Sequence, residues 1–354
     1  MIDTPAIIDC DIHPGISGMG ALLPYLDDYW SEQITNRQIN ALGLASYPPS
    51  APLSCREDWR AKNGAPPSTL QEMQALALDP FGIDIAICNP LYGGQVAHNW
   101  HMGNAICAAV NEWLAREWLD GDARLRGSIV VSSADPQTAV AEIEKHAADR
   151  RFVQVMLLVG NEMTLGRRQY WQIYEACERH GLPLALHAGT MYTHPISSVG
   201  WPTHQLQEYA SMPQLFAMQL QSLLTEGVFE KFPDLTFVLL ESGVTWLTPY
   251  MWRSEKGWKG LRGEVPWMAK PPSAEILSRV RLSTQPFDGD GTAADFEDFV
   301  DQLGSDALLL FATDFPHAQF EGGAVLPEGL APDLVRKIQS DNPIKTYKRL
   351  TETV

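Results

Sequence analysis

Eight short apolar runs punctuate the chain, and they constrain its fold more than any other feature. They are Ala6–His13, Asp84–Asn89, Leu125–Val131, Phe152–Val159, Leu184–His187, Thr236–Glu241, Val280–Thr284 and Leu308–Thr313. Most are β-branched or Leu-rich with no polar alternation, the pattern of strands covered on both faces in a parallel sheet. Helical stretches are predicted between them at Ala105–Leu119, Gln137–Ala148, Arg168–His180, Leu215–Phe229, Ala294–Leu303 and Asp333–Leu350. Asp135-Pro136 offers a helix N-cap followed by a proline in the first turn, and Gly181 stands where a helix C-terminus needs a left-handed residue. Strand–helix alternation repeated about eight times predicts a parallel α/β fold. No Gly-x-Gly-x-x-Gly follows an early strand, so a closed (β/α)8 TIM barrel and an open doubly wound sheet are told apart by where the chemistry falls.

A single barrel domain over residues 1–354 accommodates the length, with two loop insertions. The proline-rich stretch at about 45–70 lies between the first two strands, where a barrel carries a lid or active-site loop. The second, at about 246–272, is rich in Trp and Lys and follows strand six. With 45% apolar residues the chain can bury a large core, and a net charge of −17 argues against nucleic acid as a partner. No segment reaches the roughly 18 apolar residues of a membrane span, and no secretory signal is visible at the N-terminus. The five cysteines are scattered without a Cys-x-x-Cys pair, so neither a disulfide framework nor a thiolate zinc site is expected and a reducing cytoplasm is the simplest location.

Metal-binding residue types fall at the ends of the predicted strands. Asp11 and His13 end the first, His187 the fifth, Glu241 the sixth and Asp314 the eighth. In a barrel these ends converge on one face, and an Asp-x-His pair at strand spacing sends both side chains the same way. Asp11, His13, His187 and Asp314 form a mixed nitrogen and oxygen set suited to Zn2+, Mn2+ or Fe2+. Any one of them alone has an ordinary explanation: a strand-end turn, a satisfied core histidine, a turn cap.

Three segments together carry a wider likeness. They are Ile8-Asp9-Cys10-Asp11-Ile12-His13-Pro14, His187-Ala188-Gly189 and Thr313-Asp314-Phe315-Pro316-His317, with a closing Ile338…Asn342…Tyr347-Lys348-Arg349-Leu350. With these the chain resembles the amidohydrolase superfamily over nearly its whole length. The likeness is to the amidohydrolase-2 group, which contains aminocarboxymuconate-semialdehyde decarboxylase and the γ-resorcylate-type decarboxylases. The resemblance implies that Asp11 and His13 are the first-strand ligand pair. That pair is His-x-His in hydrolases and in the muconate enzyme, but carboxylate-x-His in several aromatic-acid decarboxylases. It further implies that His187 is the fifth-strand ligand and that Asp314 binds metal and handles a proton. One departure stands out: Glu241 occupies the place after strand six where the family usually has a catalytic histidine. No lysine ends the fourth strand, so one divalent ion is expected rather than a carbamate-bridged pair, with Zn2+ the first choice and Mn2+ the second.

Further candidates for substrate binding are Asn89 and Tyr92 after strand two, Trp246 and Arg253 after strand six, Gln285 after strand seven, and His317 beside Asp314. His98, Trp100, His101, His194 and His204 are weaker, each as readily part of a solvated loop. Arg253 suits a carboxylate partner by its bidentate geometry, or alternatively an ion pair with Glu241. The leading expectation is a metal-dependent decarboxylase of an aromatic or unsaturated carboxylic acid, with Asp314 or Glu241 protonating the ring carbon. The alternative is a hydrolase of an amide, lactone or related bond that uses a metal-activated water. A non-catalytic binder is a third reading, disfavoured by the complete ligand set. The partner is a small-molecule substrate, and the resemblance implies a homodimer.

Overall fold

The computed structural model describes residues 6–42, 54–191, 194–318 and 325–351. Each of the eight apolar runs is a strand: β1 Ile8–Ile12, β2 Ile85–Cys88, β3 Leu125–Val130, β4 Phe152–Gly160, β5 Leu184–Thr190, β6 Phe237–Leu240, β7 Val280–Ser283 and β8 Leu309–Leu310. They pair in parallel in chain order, β1 to β8. Every residue of β1, β2, β4, β6 and β8 is buried. That is why these strands carry no alternation: one face packs on the barrel interior and the other on the surrounding helices.

The sheet closes where β1 meets the chain beyond β8. Cys10 N–H donates to Phe311 O at 2.8 Å, Asp314 N–H to Asp11 O at 3.0 Å and His13 N–H to Phe315 O at 2.8 Å. The order and closure are those of a (β/α)8 TIM barrel, as the alternation predicts. β8 is short because side chains take its next amides. Ala312 N–H donates to Thr284 Oγ1 and Thr313 N–H to Asp9 Oδ1, so the ladder pauses and then resumes at Asp314.

The helices form largely where expected. Asp135 caps Pro136–His146, and Gly181, at φ 63°, ends Trp171–His180. Gln205–Thr225 begins ten residues earlier than predicted and carries Pro213 within it, a residue that sequence patterns treat as a stop. The C-terminal stretch is helical from Pro332 to Thr346 with a wide turn at Lys337–Asp341, and Tyr347 breaks it.

The expected insertion at 246–272 needs correction. Most of it is the helix Leu247–Leu261, whose buried Leu247, Thr248, Met251 and Ser254 form one inward stripe. The Trp and Lys residues that gave it the look of a loop occupy the other positions. Of the first expected insertion, 45–53 lie outside the described residues. The part that follows runs across the end of β8: Arg56 N–H donates to Pro316 O at 2.9 Å, and Cys55 pairs with His317 in an antiparallel bridge. Gly15 is required beneath it, since a Cβ there would stand 2.1 Å from Pro67 O.

The barrel seam holds a buried carboxylate. Asp9 is fully buried and accepts from Thr313 Oγ1 at 2.6 Å, from Thr313 N–H at 3.1 Å and from Asp11 N–H at 3.1 Å. Thr313→Val would leave Asp9 Oδ2 without a donor in the interior. A loss of about 2–3 kcal/mol in unfolding free energy is expected, with an unchanged denaturant slope, measurable by urea titration.

Candidate metal centre

Parallel strands in chain order bring residues far apart in sequence to one rim of the barrel. Asp11 lies near the end of β1 and His13 just past it. Glu241 follows β6, and Asp314 follows β8. His187 sits within β5 rather than at its end, because β5 continues to pair with β4 through Thr190. His13 Nε2 lies 3.0 Å from Asp314 Oδ1 and 3.5 Å from Asp11 Oδ1. His187 Nε2 lies 3.6 Å from Asp11 Oδ1 and 3.7 Å from Glu241 Oε2. The candidate ligand atoms of Asp11, His13 and His187 all fall within 4.8 Å of one another, and His13 belongs to a second such group with Asp314 and His317. Four expected ligands and the expected acid are thus in one place.

The arrangement fits a divalent cation. Asp11, His187 and Asp314 are fully inaccessible to solvent, yet Asp11 Oδ2, His187 Nε2 and Asp314 Oδ2 have no hydrogen-bond partner. No Lys or Arg among the described residues forms an ion pair with Asp11, Glu241 or Asp314. Buried carboxylates without a counter-charge are strongly unfavourable, and a cation among these atoms removes the deficit. The second ring nitrogens are already engaged: His13 Nδ1 with Asn89 O at 2.8 Å and His187 Nδ1 with Ala188 O at 2.7 Å. Each carbonyl accepts, so Nδ1 carries the proton and Nε2 is left as the ligand atom.

Two of these residues are held in a costly backbone state. Glu241 and Asp314 have φ of 56° and 55°, two of the three non-glycine residues with positive φ among those described. Such a conformation costs a non-glycine residue about 1–2 kcal/mol. Hydrogen bonds from their amides accompany it: Glu241 N–H donates to Ser283 Oγ at 2.9 Å, and Asp314 N–H donates to Asp11 O in the seam. Beyond Glu241, Gly243 has φ 68° and packs against Asp288, whose carboxylate accepts from Val244 N–H and Thr245 N–H.

The two acidic groups are pushed in opposite directions. Burial, and then the Asp314 carboxylate, raise Glu241 to about 8. Burial opposes ionisation of Asp314 too, but His317 and His13 outweigh it and hold Asp314 well below the usual carboxylate range. Burial would lower His13, yet Asp11 and Asp314 outweigh it and push the imidazole up to about 10. An imidazole so drawn toward a positive charge is a further sign that the pocket calls for a cation.

The remaining expected residues divide. His317 is half-buried, with Nδ1 2.7 Å from Asp314 Oδ1 and its ring 4.5 Å from that of His13. Asn89 is fully buried and holds Asp11 Oδ1 through its Nδ2 at 2.8 Å, so it serves the centre rather than an open pocket. Tyr92 is half-buried with an unpartnered hydroxyl. Gln285 donates to Val325 O at 3.2 Å, and Trp246 donates to Gly243 O and packs on Phe216 and Tyr250. Arg253 is not brought to the cluster. It is exposed on Leu247–Leu261, off the inward stripe, and forms no ion pair among the described residues. His98, Trp100, His101, His194 and His204 are all exposed.

Sequence reasoning assigned no role to Ser128, Gln154, Ser283 or Tyr209. The first two are polar residues inside otherwise apolar strands, which was the available signal. Tyr209, on Gln205–Thr225, has a buried hydroxyl with no hydrogen-bond partner. Burial first, then the carboxylates of Glu241 and Asp314, push its phenol far above the usual range, so it stays protonated beside the centre.

Comparison with known proteins agrees with this fold. No curated relative matches the sequence. A solved amidohydrolase from Mycobacterium avium subsp. paratuberculosis K-10 superposes with a TM-score of 0.74 at 18% identity, covering 98% of this chain and 100% of that one. A 5-carboxyvanillate decarboxylase from Novosphingobium aromaticivorans DSM 12444, complexed with manganese and 4-hydroxy-3-methoxy-5-nitrobenzoic acid, gives 0.70 at 17%, covering 97% and 96%. A dihydroxybenzoic acid decarboxylase from Polaromonas sp. JS666, with bound manganese and the inhibitor 2-nitroresorcinol, gives 0.65 at 18%, covering 97% of each. At such identities the likeness is one of fold. The amidohydrolase family model matches residues 8–349, which include all eight strands and every residue of the cluster, and the chain belongs to that family.

Proposed function

We propose that this chain is a metal-dependent carboxy-lyase that removes CO2 from an aromatic or unsaturated carboxylic acid. The observation that carries the reading is the placement of a buried carboxyl beside the candidate ligands: Glu241 Oε2 lies 3.7 Å from His187 Nε2, in the cluster that also holds Asp11, His13 and Asp314. Burial, and then the Asp314 carboxylate, raise Glu241 there. Decarboxylation with replacement by hydrogen needs one group that can give a proton to carbon, and a buried carboxyl of raised pKa meets that need. The carboxylate-x-His pair Asp11 and His13, and the two superposing decarboxylases crystallised with manganese, support the same reading.

Asp11, His13 and His187, with Asp314 beside them, would hold one divalent ion, Zn2+ or Mn2+. When bound, it supplies Lewis-acid withdrawal of charge from the substrate carboxylate or a neighbouring hydroxyl. Glu241 then gives its proton to the ring carbon that bears the carboxylate. The bond to the carboxylate breaks, its electron pair stays on the ring, and CO2 leaves. Asp314, kept anionic by His317 and His13, orients that histidine pair. Tyr209 presents a neutral O–H, a donor for an anionic substrate oxygen. A homodimer acting in a reducing cytoplasm completes the proposal. All five cysteines are free and buried, and no helix among the described residues is long and apolar enough to cross a membrane.

Hydrolysis is the second reading, favoured by one observation: an ionised Asp314 at the cluster also suits a base that takes a proton from water. The two are separated by assaying CO2 release from hydroxybenzoates and unsaturated acids against cleavage of amides and lactones. Hydrolysis alone, abolished by Asp314→Asn, would sink the lyase reading.

Metal analysis of purified protein is expected to find about one Zn or Mn per chain. Chelation should abolish activity, and either ion should restore it; less than a tenth of an ion per chain with no gain on reconstitution rejects a metal enzyme. Glu241→Gln is expected to lower kcat by about 10²–10⁴-fold. The proton must be present to be given, so activity should fall as pH rises through the Glu241 pKa. Burial raises Glu241 to about 8 without metal, and a bound cation favours its carboxylate, so the limb of the metal-loaded enzyme is expected below 8. Glu241→Gln should remove the limb. Tyr209→Phe should weaken turnover about tenfold and leave metal content unchanged, as expected for loss of one hydrogen bond to a charged oxygen.

A further inference from the structure

Beneath the metal centre, three polar residues interrupt the apolar interior of the barrel. Asn89 follows β2, Ser128 lies on β3 and Gln154 on β4, and all three are fully buried. Gln154 Nε2 donates to Ser128 Oγ at 2.8 Å and to Asn89 Oδ1 at 3.1 Å, and Ser128 Oγ donates to Asn89 Oδ1 at 2.5 Å. On its other side, Asn89 Nδ2 donates to Cys10 O at 3.2 Å and to Asp11 Oδ1 at 2.8 Å. The main chain of the same residue accepts from His13 Nδ1. Among the side chains of Gln154, Ser128 and Asn89 every proton is donated in one direction, from β4 through β3 and β2 to the carboxylate on β1, while the His13 imidazole donates back to the Asn89 carbonyl.

Three buried polar groups in an apolar interior are unfavourable unless they act together. An asparagine amide can rotate by half a turn and exchange its oxygen and nitrogen, and its neighbours decide which way it sits. Here two donors face one end, and a carbonyl and a carboxylate face the other. With the donors gone, the amide loses what holds its oxygen away from Asp11, and the exchanged orientation would place two oxygens against each other. We propose that Ser128 and Gln154 are positioning residues of the metal centre. They lock the Asn89 amide, which fixes Asp11 through Oδ1, the oxygen that lies 3.5 Å from His13 Nε2 and 3.6 Å from His187 Nε2. The inference rests on the assignment of Asp11, His13 and His187 as ligands and extends it by two residues that touch neither metal nor substrate.

The test measures metal binding rather than turnover. Full-length wild type, Ser128→Ala and Gln154→Met are stripped of metal, and affinities for Mn2+ and Zn2+ are determined by competition with a chromophoric chelator. The visible spectrum of the Co2+ form reports ligand geometry, and thermal midpoints of the metal-free proteins report folding. Losing support behind a ligand is expected to weaken affinity about 10–100-fold, with a changed Co2+ spectrum. Affinities within threefold of wild type with an unchanged spectrum, in variants that fold, would overturn the proposal. If Gln154→Met does not fold, Ser128→Ala, which removes a single oxygen, decides alone. A wild type that binds none of the three ions overturns both this inference and the ligand assignment. Unchanged variant affinities on a wild type that binds metal overturn only the inference.

Discussion

The contact between β1 and the chain after β8 is the constraint on which the rest depends. It closes the barrel, and the residues that make it belong to the metal cluster or adjoin it. Asp9 takes the Thr313 hydroxyl and amide, Asp11 O takes the Asp314 amide, and Phe315 O takes the His13 amide. Because these bonds alternate along the chain with the site residues Asp11, His13 and Asp314, the geometry of the centre is the geometry of the seam. A barrel left open at this edge would have neither a second face for β1 nor a ligand set.

Electrostatics then does what closure makes possible. The seam brings Asp11 and Asp314 into an interior where no lysine or arginine among the described residues pairs with them, and Glu241 is added from the end of β6. Three buried carboxylates among three imidazoles cannot all ionise without a cation, and the environment resolves the conflict by separating them. His13 and His317 keep Asp314 charged, while burial and Asp314 keep Glu241 protonated. The costly left-handed backbone at both residues is accompanied by amide bonds to Ser283 and to the seam. Placement alone pushes the two carboxylates in opposite directions.

Much of this was legible in the residues. Apolar strands without alternation announce burial on both faces. The caps at Asp135 and Gly181 mark helix ends that the structure reproduces. Ligand types at strand ends converge because parallel strands in order must converge. What misled was composition without periodicity. The Trp- and Lys-rich stretch after β6 passed for an insertion because only four positions of its helix face inward, and Arg253, attractive by charge, lies off that same stripe.

By itself the sequence determined the strand–helix alternation and the candidate ligands, because strand burial and ligand chemistry are written in residue type and spacing. Only the tertiary structure decided what surrounds each carboxylate. It showed Asn89 facing Asp11 rather than a pocket, brought the Tyr209 phenol near Glu241, and aligned Ser128 and Gln154 beneath the centre. Protonation state and orientation are set by neighbours hundreds of residues away, through burial, opposing charge and the direction of hydrogen bonds. None of these exists until β1 meets β8.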